Sequence, residues 1–550
     1  MLRSRTSWLP VLSCLLLGAS VVHSVELNHD AQALFDESMT IQDAIYDPAA
    51  SYLRYFYYPF AAGPHETRSS VWYSVGLLQR NQGNDAVEAV KILKNIIGDQ
   101  EKNTSAQWYG DYTRYPEQPT VGSPAYSPGI YNSWDPNWRG FIGTALIIIY
   151  EEFRSLLPAD VQALILDSLY NSTIGDSYRV GGVDGDNLYP AYSNAWLMRS
   201  VVSSWTGWQL NDANMSAAGD TDALAFLDLF DRNHTLSEYN GPTYAGVSLC
   251  ALNIAAKYLG ATNSTMGHHA ARVVQDIWDY ESQLWNPRMR NFAGPWDRTY
   301  GYDMNRYVAI MSIWVWTLVG KEKAWKSGSP IWTLAHADDF QIAPVIAVLS
   351  EFHRSLIPDS VIARLDSFSG EHIYTGHAYA PPADQVPRNI TSWLSEDLTI
   401  GAASFNQSVT GGFSEDSSSF SPSVVQWMRA DESIGYFNLY PTEDALQAEV
   451  APYALNLTYP LGNASSTFTF VLASNRLGAK RDISSLNDVD GVNIAVGGTV
   501  DPVPQISFCG LVGGSCEVIN GFEFWNVTFS MPANSLDIPQ IQLQFEGQQV

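Results

Sequence analysis

The chain has 550 residues, a formal charge of −27 and 16% charged residues, so it is acidic yet long and apolar enough for a large core. That balance excludes nucleic acid and anionic membrane surfaces as partners and disfavours a strongly anionic polymer, unless arginines gather locally. Four cysteines exclude a disulfide scaffold. The 18 tryptophans and 13% aromatic content suit a large core, and polar-flanked rings in loops also suit sugar faces.

In chain order, Arg3 and Arg5 precede an apolar run from Trp8 to Val22 and a small residue, Ser24. This reads as a secretory signal, residues 1–24, cleaved after Ser24. Without it the charge becomes −29 and Cys14 is gone. No later stretch has the length of a membrane span, so no membrane partner is expected after cleavage. Sequons stand at Asn103, Asn171, Asn214, Asn233, Asn263, Asn389, Asn406, Asn456, Asn463 and Asn526. They predict a secreted, glycosylated surface. Cys509 and Cys516 bracket a Gly-rich loop suited to a disulfide, and Cys250 reads as an inert buried thiol.

Residues 25–365 read as helical hairpins. Helices are predicted over Ser69 to Gly98 (broken at Gln82–Asn84), Trp138 to Leu157, Ala159 to Tyr170, Asn194 to Ser204 and Asp220 to Asp231. Thr243 to Leu259, Thr265 to Trp285, Met304 to Gly320 and Ile342 to Leu356 complete the set. Consecutive hairpins without a fixed-length repeat point to an (α/α) toroid. Residues 366–440 are ambiguous, a connecting region at the toroid mouth. Residues 441–550 are β-rich, with alternation at Thr467–Leu472, Phe522–Phe529 and Ile541–Phe545. The expected fold class is mainly α with C-terminal β: an (α/α) toroid followed by an antiparallel β-domain.

The loops between helices are where chemistry is expected. Ser133–Arg139 carries Trp134 and Trp138; Asp184–Asn194 ends on Asn194; Glu238-Tyr-Asn-Gly-Pro-Thr-Tyr244 places Pro242 at a helix start, favouring anions nearby. In that loop Tyr239 or Tyr244 suits proton transfer and Asn240 an oxygen contact. Ala293–Asp303 joins Trp296, Asp297, Arg298, Tyr300, Tyr302 and Asp303: a cation for a carboxylate, phenols for proton transfer, or simply a salt-bridged loop. His372 and His377 are possible bases, and Asn194 is equally suited to capping a helix. Asp184-x-Asp186 lacks the later carboxylate of a calcium loop, and no zinc, dinucleotide or phosphate-loop motif is present. No metal and no cofactor are expected.

A helical toroid with Asn, Tyr and Arg in its loops, ahead of a β-domain, resembles the polysaccharide lyases of the chondroitin AC, alginate and heparinase II/III types. Tyr189–Asn194, Glu238–Tyr244 and Gly294–Gly301 also resemble loops of a group of secreted fungal proteins. The resemblance implies β-elimination on a uronic-acid polysaccharide or oligosaccharide. Asn194 and Asn240 would neutralise the carboxylate, Arg298 would clamp it, and Tyr239, Tyr244 or Tyr300 would move protons. Trp134, Trp296, Glu238, Tyr302, Asp303 and His377 would line the substrate. The chain departs from the family pattern in placing no clear pocket histidine, so the base stays open. Two alternatives remain. One is glycoside hydrolysis by two of Glu238, Asp186, Asp297 and Asp303. The other is a dehydratase or cyclase acting on a small molecule in an enclosed aromatic pocket.

Overall fold

The computed structural model describes residues 24–297, 309–325, 331, 336–406, 421–473, 483, 485–510, 514–516 and 523–547. Thirteen α-helices lie among them: α1 (His29–Ile45), α2 (Thr67–Arg80), α3 (Asp85–Gly98), α4 (Trp138–Phe153), α5 (Ala159–Ser177), α6 (Ser193–Leu210), α7 (Ala213–Phe230), α8 (Pro242–Ile254), α9 (Thr265–Leu284), α10 (Ile310–Val319), α11 (Lys321–Ala324), α12 (Ala343–Leu356) and α13 (Asp359–Asp366).

Two kinds of helix alternate, and their sequences say why. α3 buries Ala89, Ile92, Leu93, Ile96 and Ile97, one apolar stripe at helical spacing, and so lies on the outside. α10, Ile-Met-Ser-Ile-Trp-Val-Trp-Thr-Leu-Val, buries all but its last residue, as a helix apolar on every side must. α2, α4, α6 and α8 are similarly buried. These helices pack in succession, α2 on α4, α4 on α6, α6 on α8, α8 on α10 and α10 on α12, and α12 returns to α2. The result is a closed inner ring with α1, α3, α5, α7, α9 and α13 outside it, an (α/α) toroid. Close approach within the ring depends on small residues. A Cβ on Gly140 of α4 would stand 2.9 Å from Met198 of α6, and one on Gly246 of α8 2.6 Å from Ile310 of α10.

Within the helical part the strands are short, Tyr46–Asp47, Tyr52–Arg54 and His65–Glu66 in one small sheet and Trp285–Asn286 with Asn291–Phe292 in another; the two large sheets take their strands from His372 onward. An eight-stranded antiparallel sheet runs Gln505–Cys509, Phe524–Ser530, Thr467–Ala473, Ile434–Tyr440, Ser423–Met428, Leu398–Ala403, Arg388–Leu394 and His372–Ala378. Residues 372–440, ambiguous in the sequence, thus supply five of its strands. A five-stranded sheet holding Gln540–Gly547 and Val492–Gly498 encloses a second core with it, around Phe437, Phe470, Phe529 and Leu543. The edge strand His372–Ala378 lies on the helical body, where His372 Nε2 reaches the Gln283 carbonyl of α9 at 2.9 Å. Cys509 and Cys516 form a disulfide. Cys250 is buried and free, and burial pushes its thiol up to about 12. None of the ten sequon asparagines is buried.

Candidate active site at the mouth of the ring

The inner helices begin at one end of the ring, and a circuit of side-chain contacts ties those ends together. Trp138 Nε1 of α4 donates to Thr67 Oγ1 of α2 at 3.1 Å. Asn137 Nδ2, just before α4, donates to Tyr192 Oη, just before α6, at 3.3 Å. Asn194 of α6 gives its backbone N–H (3.0 Å) and Nδ2 (2.9 Å) to the Glu238 carboxylate ahead of α8. Thr243 Oγ1 of α8 donates to Asp339 Oδ2 ahead of α12 at 2.7 Å. Arg68 Nη2 of α2 stands 3.8 Å from Asp338 Oδ2, closing the circuit. Five helix N-termini therefore face one mouth, and their dipoles make it receptive to anions.

Beside these helix ends lies a cluster that no sequence motif marks. The Arg68 guanidinium packs over the rings of Trp138 (4.7 Å), Trp72 (5.0 Å) and Phe141 (5.3 Å). Burial opposes its charge, but the carboxylates of Glu66, Asp338 and Asp339 outweigh that and hold it firmly protonated. Tyr57 Oη donates to Asp338 Oδ1 at 2.7 Å. His336, Asp338 and Asp339 are each half-buried and present ligand atoms within 4.8 Å of one another. Burial lowers the His336 pKa, so its imidazole is neutral near pH 7. Burial, then the charge of Asp338, pushes Asp339 up to about 8. Burial also raises the phenol of Tyr55 to about 12 and that of Tyr57 further. The cluster's local signal is the run His336-Ala-Asp-Asp339, which opens a 3-10 turn, Ala337–Ile342, leading into α12. No motif frames that run.

Most of the residues expected from the sequence lie close by but are engaged with the protein. Glu238 and Asn194 bind each other and are buried. Tyr239 is buried and stacked on Tyr280, with centroids 5.7 Å apart. Asn240 adopts a left-handed backbone (φ 45°) and donates to the carbonyls of Ala293 (2.6 Å) and Pro295 (3.0 Å). Asp297 takes two hydrogen bonds from Arg388 (3.1 and 2.9 Å) and one from the Tyr239 N–H (3.2 Å). The two expected loops therefore converge at Asp297. Arg388 also binds Asp384 at 3.1 Å, with all three charges buried. Asp186 is held by Arg179 at 3.0 Å, so it belongs to a salt bridge and not to a cation loop.

Trp296 is fully buried against Val424 and Tyr436, and Trp134 is buried between two cavities. Neither offers an open ring face at the mouth, unlike the sugar platforms expected of them. Tyr244 is half-buried in the first turn of α8. The His377 side chain is exposed on the edge strand, and its carbonyl accepts from Thr235. Arg298, Tyr300, Tyr302 and Asp303 lie outside the described residues. Behind Tyr239 the side chains of Tyr280 and Glu281 are also buried, with the Tyr280 hydroxyl next to the Glu281 carboxyl.

Residues 32–351 match a family model described as Domain of unknown function (DUF8769). The chain belongs to the DUF8769 family. The DUF8769 region holds every residue of the mouth cluster named above, from Tyr55 to Asp339. Residues 370–546 match a second model, Domain of unknown function (DUF8770), which spans the sheets. No curated protein matches the chain. Among solved structures, this DUF8769 protein is similar to a heparinase III, at 7% identity and a TM-score of 0.33, covering 96% of this chain and 85% of that one. It is also similar to the chondroitin AC lyase of Streptomyces coelicolor A3 in complex with chondroitin sulphate, at 8% identity and a TM-score of 0.35, covering 94% and 79%.

Proposed function

We propose that this chain is a secreted glycoprotein lyase that cleaves a uronic-acid polysaccharide by β-elimination at the mouth of the ring. The observation that carries the reading is the pairing of a neutral imidazole, His336, with a permanently charged guanidinium, Arg68, around one carboxylate, Asp338. Elimination needs such a pair. Arg68, helped by the helix N-termini, draws in the uronate carboxylate and makes the adjacent C5 proton more acidic. His336 takes that proton. The electron pair forms the C4–C5 double bond as the C4–O bond breaks, and a phenol protonates the leaving oxygen. Tyr57 and Tyr244 are the proposed donors, with Arg298 and Tyr300, just past Asp297, completing the site.

Hydrolysis has less support, because Glu238, Asp186 and Asp297 are each committed to a protein partner. A dehydratase or cyclase acting on a small apolar molecule calls for an apolar enclosure, whereas this mouth carries Arg68, His336 and two carboxyls. Secretion and glycosylation are supported by the Cys509–Cys516 disulfide and by the accessibility of the sequons. Incubation with polygalacturonate, alginate and glycosaminoglycans tests the activity. The lyase reading expects the short-wavelength ultraviolet absorbance of an enoate in the unsaturated product, lost in His336→Ala and Arg68→Ala. New reducing ends without that absorbance would refute it.

A further inference from the structure

Beside the mouth, the loop joining α3 to α4 folds around a cavity of about 270 Å³. Its walls carry three carboxyls, Asp99, Glu101 and Asp111, and no Lys, Arg or His. Asp99 accepts from the Tyr52 hydroxyl, and Glu101 accepts from Trp108 Nε1 at 3.0 Å. Asp111 is different: it is 3% exposed, the Tyr112 backbone N–H lies against its carboxyl, and no side chain among the described residues hydrogen-bonds its oxygens. Trp134 lines the same cavity, 4% exposed, and its Nε1 lacks a partner among the described residues. Buried polar atoms are ordinarily satisfied, so each of these points to a group that fills the space.

The chemistry of those atoms narrows that group. The Trp134 indole is a donor only and requires an acceptor. The Asp111 carboxyl requires a donor or, when protonated, a donor and an acceptor. A hydroxyl meets all of these needs; an ammonium does not, having no acceptor. Three carboxyls exclude an anion. Arg139 acts on Asp111 through its charge, while its terminal nitrogens are tied to Asp176 at 3.3 Å and the Tyr109 carbonyl at 2.8 Å. The aromatic walls supply an apolar face: the half-buried Trp108 stands 6.2 Å from Trp134 between centroids. Gly122 seats it, since a Cβ there would meet the Trp108 indole at 2.9 Å. The volume sits near the lower end of small-ligand sites, roughly 300–1,000 Å³.

We propose that this cavity is a subsite for one uncharged pyranose ring, stacked on Trp108 and bound through its hydroxyls to Asp111 and Trp134 Nε1. A glycan with an acidic unit at the mouth and a neutral unit beside it satisfies both sites, but the subsite stands on its own contacts. The test reads binding and not turnover, so its failure is distinct from failure of the lyase reading. The full chain is titrated with cellohexaose, xylohexaose, mannohexaose and chitohexaose, following tryptophan fluorescence and calorimetry, with hexagalacturonate as the anionic control. Saturable binding of at least one uncharged hexasaccharide is expected. Trp108→Ala and Asp111→Leu should each weaken it roughly tenfold or more, as loss of a ring contact or a buried hydrogen bond implies. Trp108→Phe and Asp111→Asn keep the ring face and the polar group and should retain most of it. Absence of binding by all four, meaning that water alone fills the cavity, overturns the proposal. So does equal binding by folded Trp108→Ala and Asp111→Leu.

Discussion

Glu281→Gln should make the protein more tolerant of alkaline pH while leaving its stability near pH 5 almost unchanged. Glu281 lies in α9 at 1% exposure, with no cation beside it among the described residues, and burial, only partly opposed by the neighbouring Tyr280 hydroxyl, pushes its pKa up to about 8. In the unfolded chain a glutamate titrates near about 4.3. Between those values the folded chain holds a proton that the unfolded chain has released. This contribution is complete below the unfolded value and is lost as pH rises through the folded one. A shift of that size corresponds to roughly 5 kcal/mol at most. The glutamine side chain of the variant has the same shape and cannot ionise. The gap between variant and wild type should therefore open steadily with pH and favour the variant by several kcal/mol near pH 8.5. Asp339, raised in the same direction, acts on both proteins and cancels in the difference. Urea unfolding at a series of pH values from 5 to 9 measures the gap. A constant gap across the series would show that Glu281 is ionised in the fold and refute the reasoning.

The acid limb should belong to His353 of α12, which burial drives down to about 3 and whose Nε2 accepts from Trp278 Nε1 at 3.0 Å. Its stabilisation is present above the unfolded histidine pKa and is lost as pH falls toward 3, so His353→Gln should flatten that limb in acid denaturation while costing about 2–4 kcal/mol at pH 7. Arg388→Met should strand the buried carboxylates of Asp297 and Asp384, costing about 3–5 kcal/mol in thermal or denaturant melts, with partial recovery when Asp297→Leu is added.

The helices were legible where one period dominated a long window. α3, α9 and α12 carry apolar stripes, and α4 and α10 are apolar on every side, so type and approximate bounds followed from local pattern. The strands Thr467–Ala473 and Gln540–Gly547 were legible by alternation. Those of residues 372–440 were not. Leu398–Ala403 and Ser423–Met428 are buried on both faces, so no alternation marks them. α1 is marked locally by its cap, where Asn28 accepts from the Ala31 N–H, and little else.

The sequence alone determined the acidic balance, the hairpin-forming body, the β-rich end, the sequons and the short cysteine loop. Each of these is written in composition or in neighbours a few residues apart. It also marked the right loops, but not which side chains within them are spent on the fold. Glu238 finds Asn194 44 residues away, Asp297 finds Arg388 91 residues away, and Arg68 reaches Asp338 only because α12 returns to α2. Closing the ring decided those pairings. A carboxylate is structural or chemical according to which charge the tertiary fold sets beside it and how much water remains, and neither quantity is local.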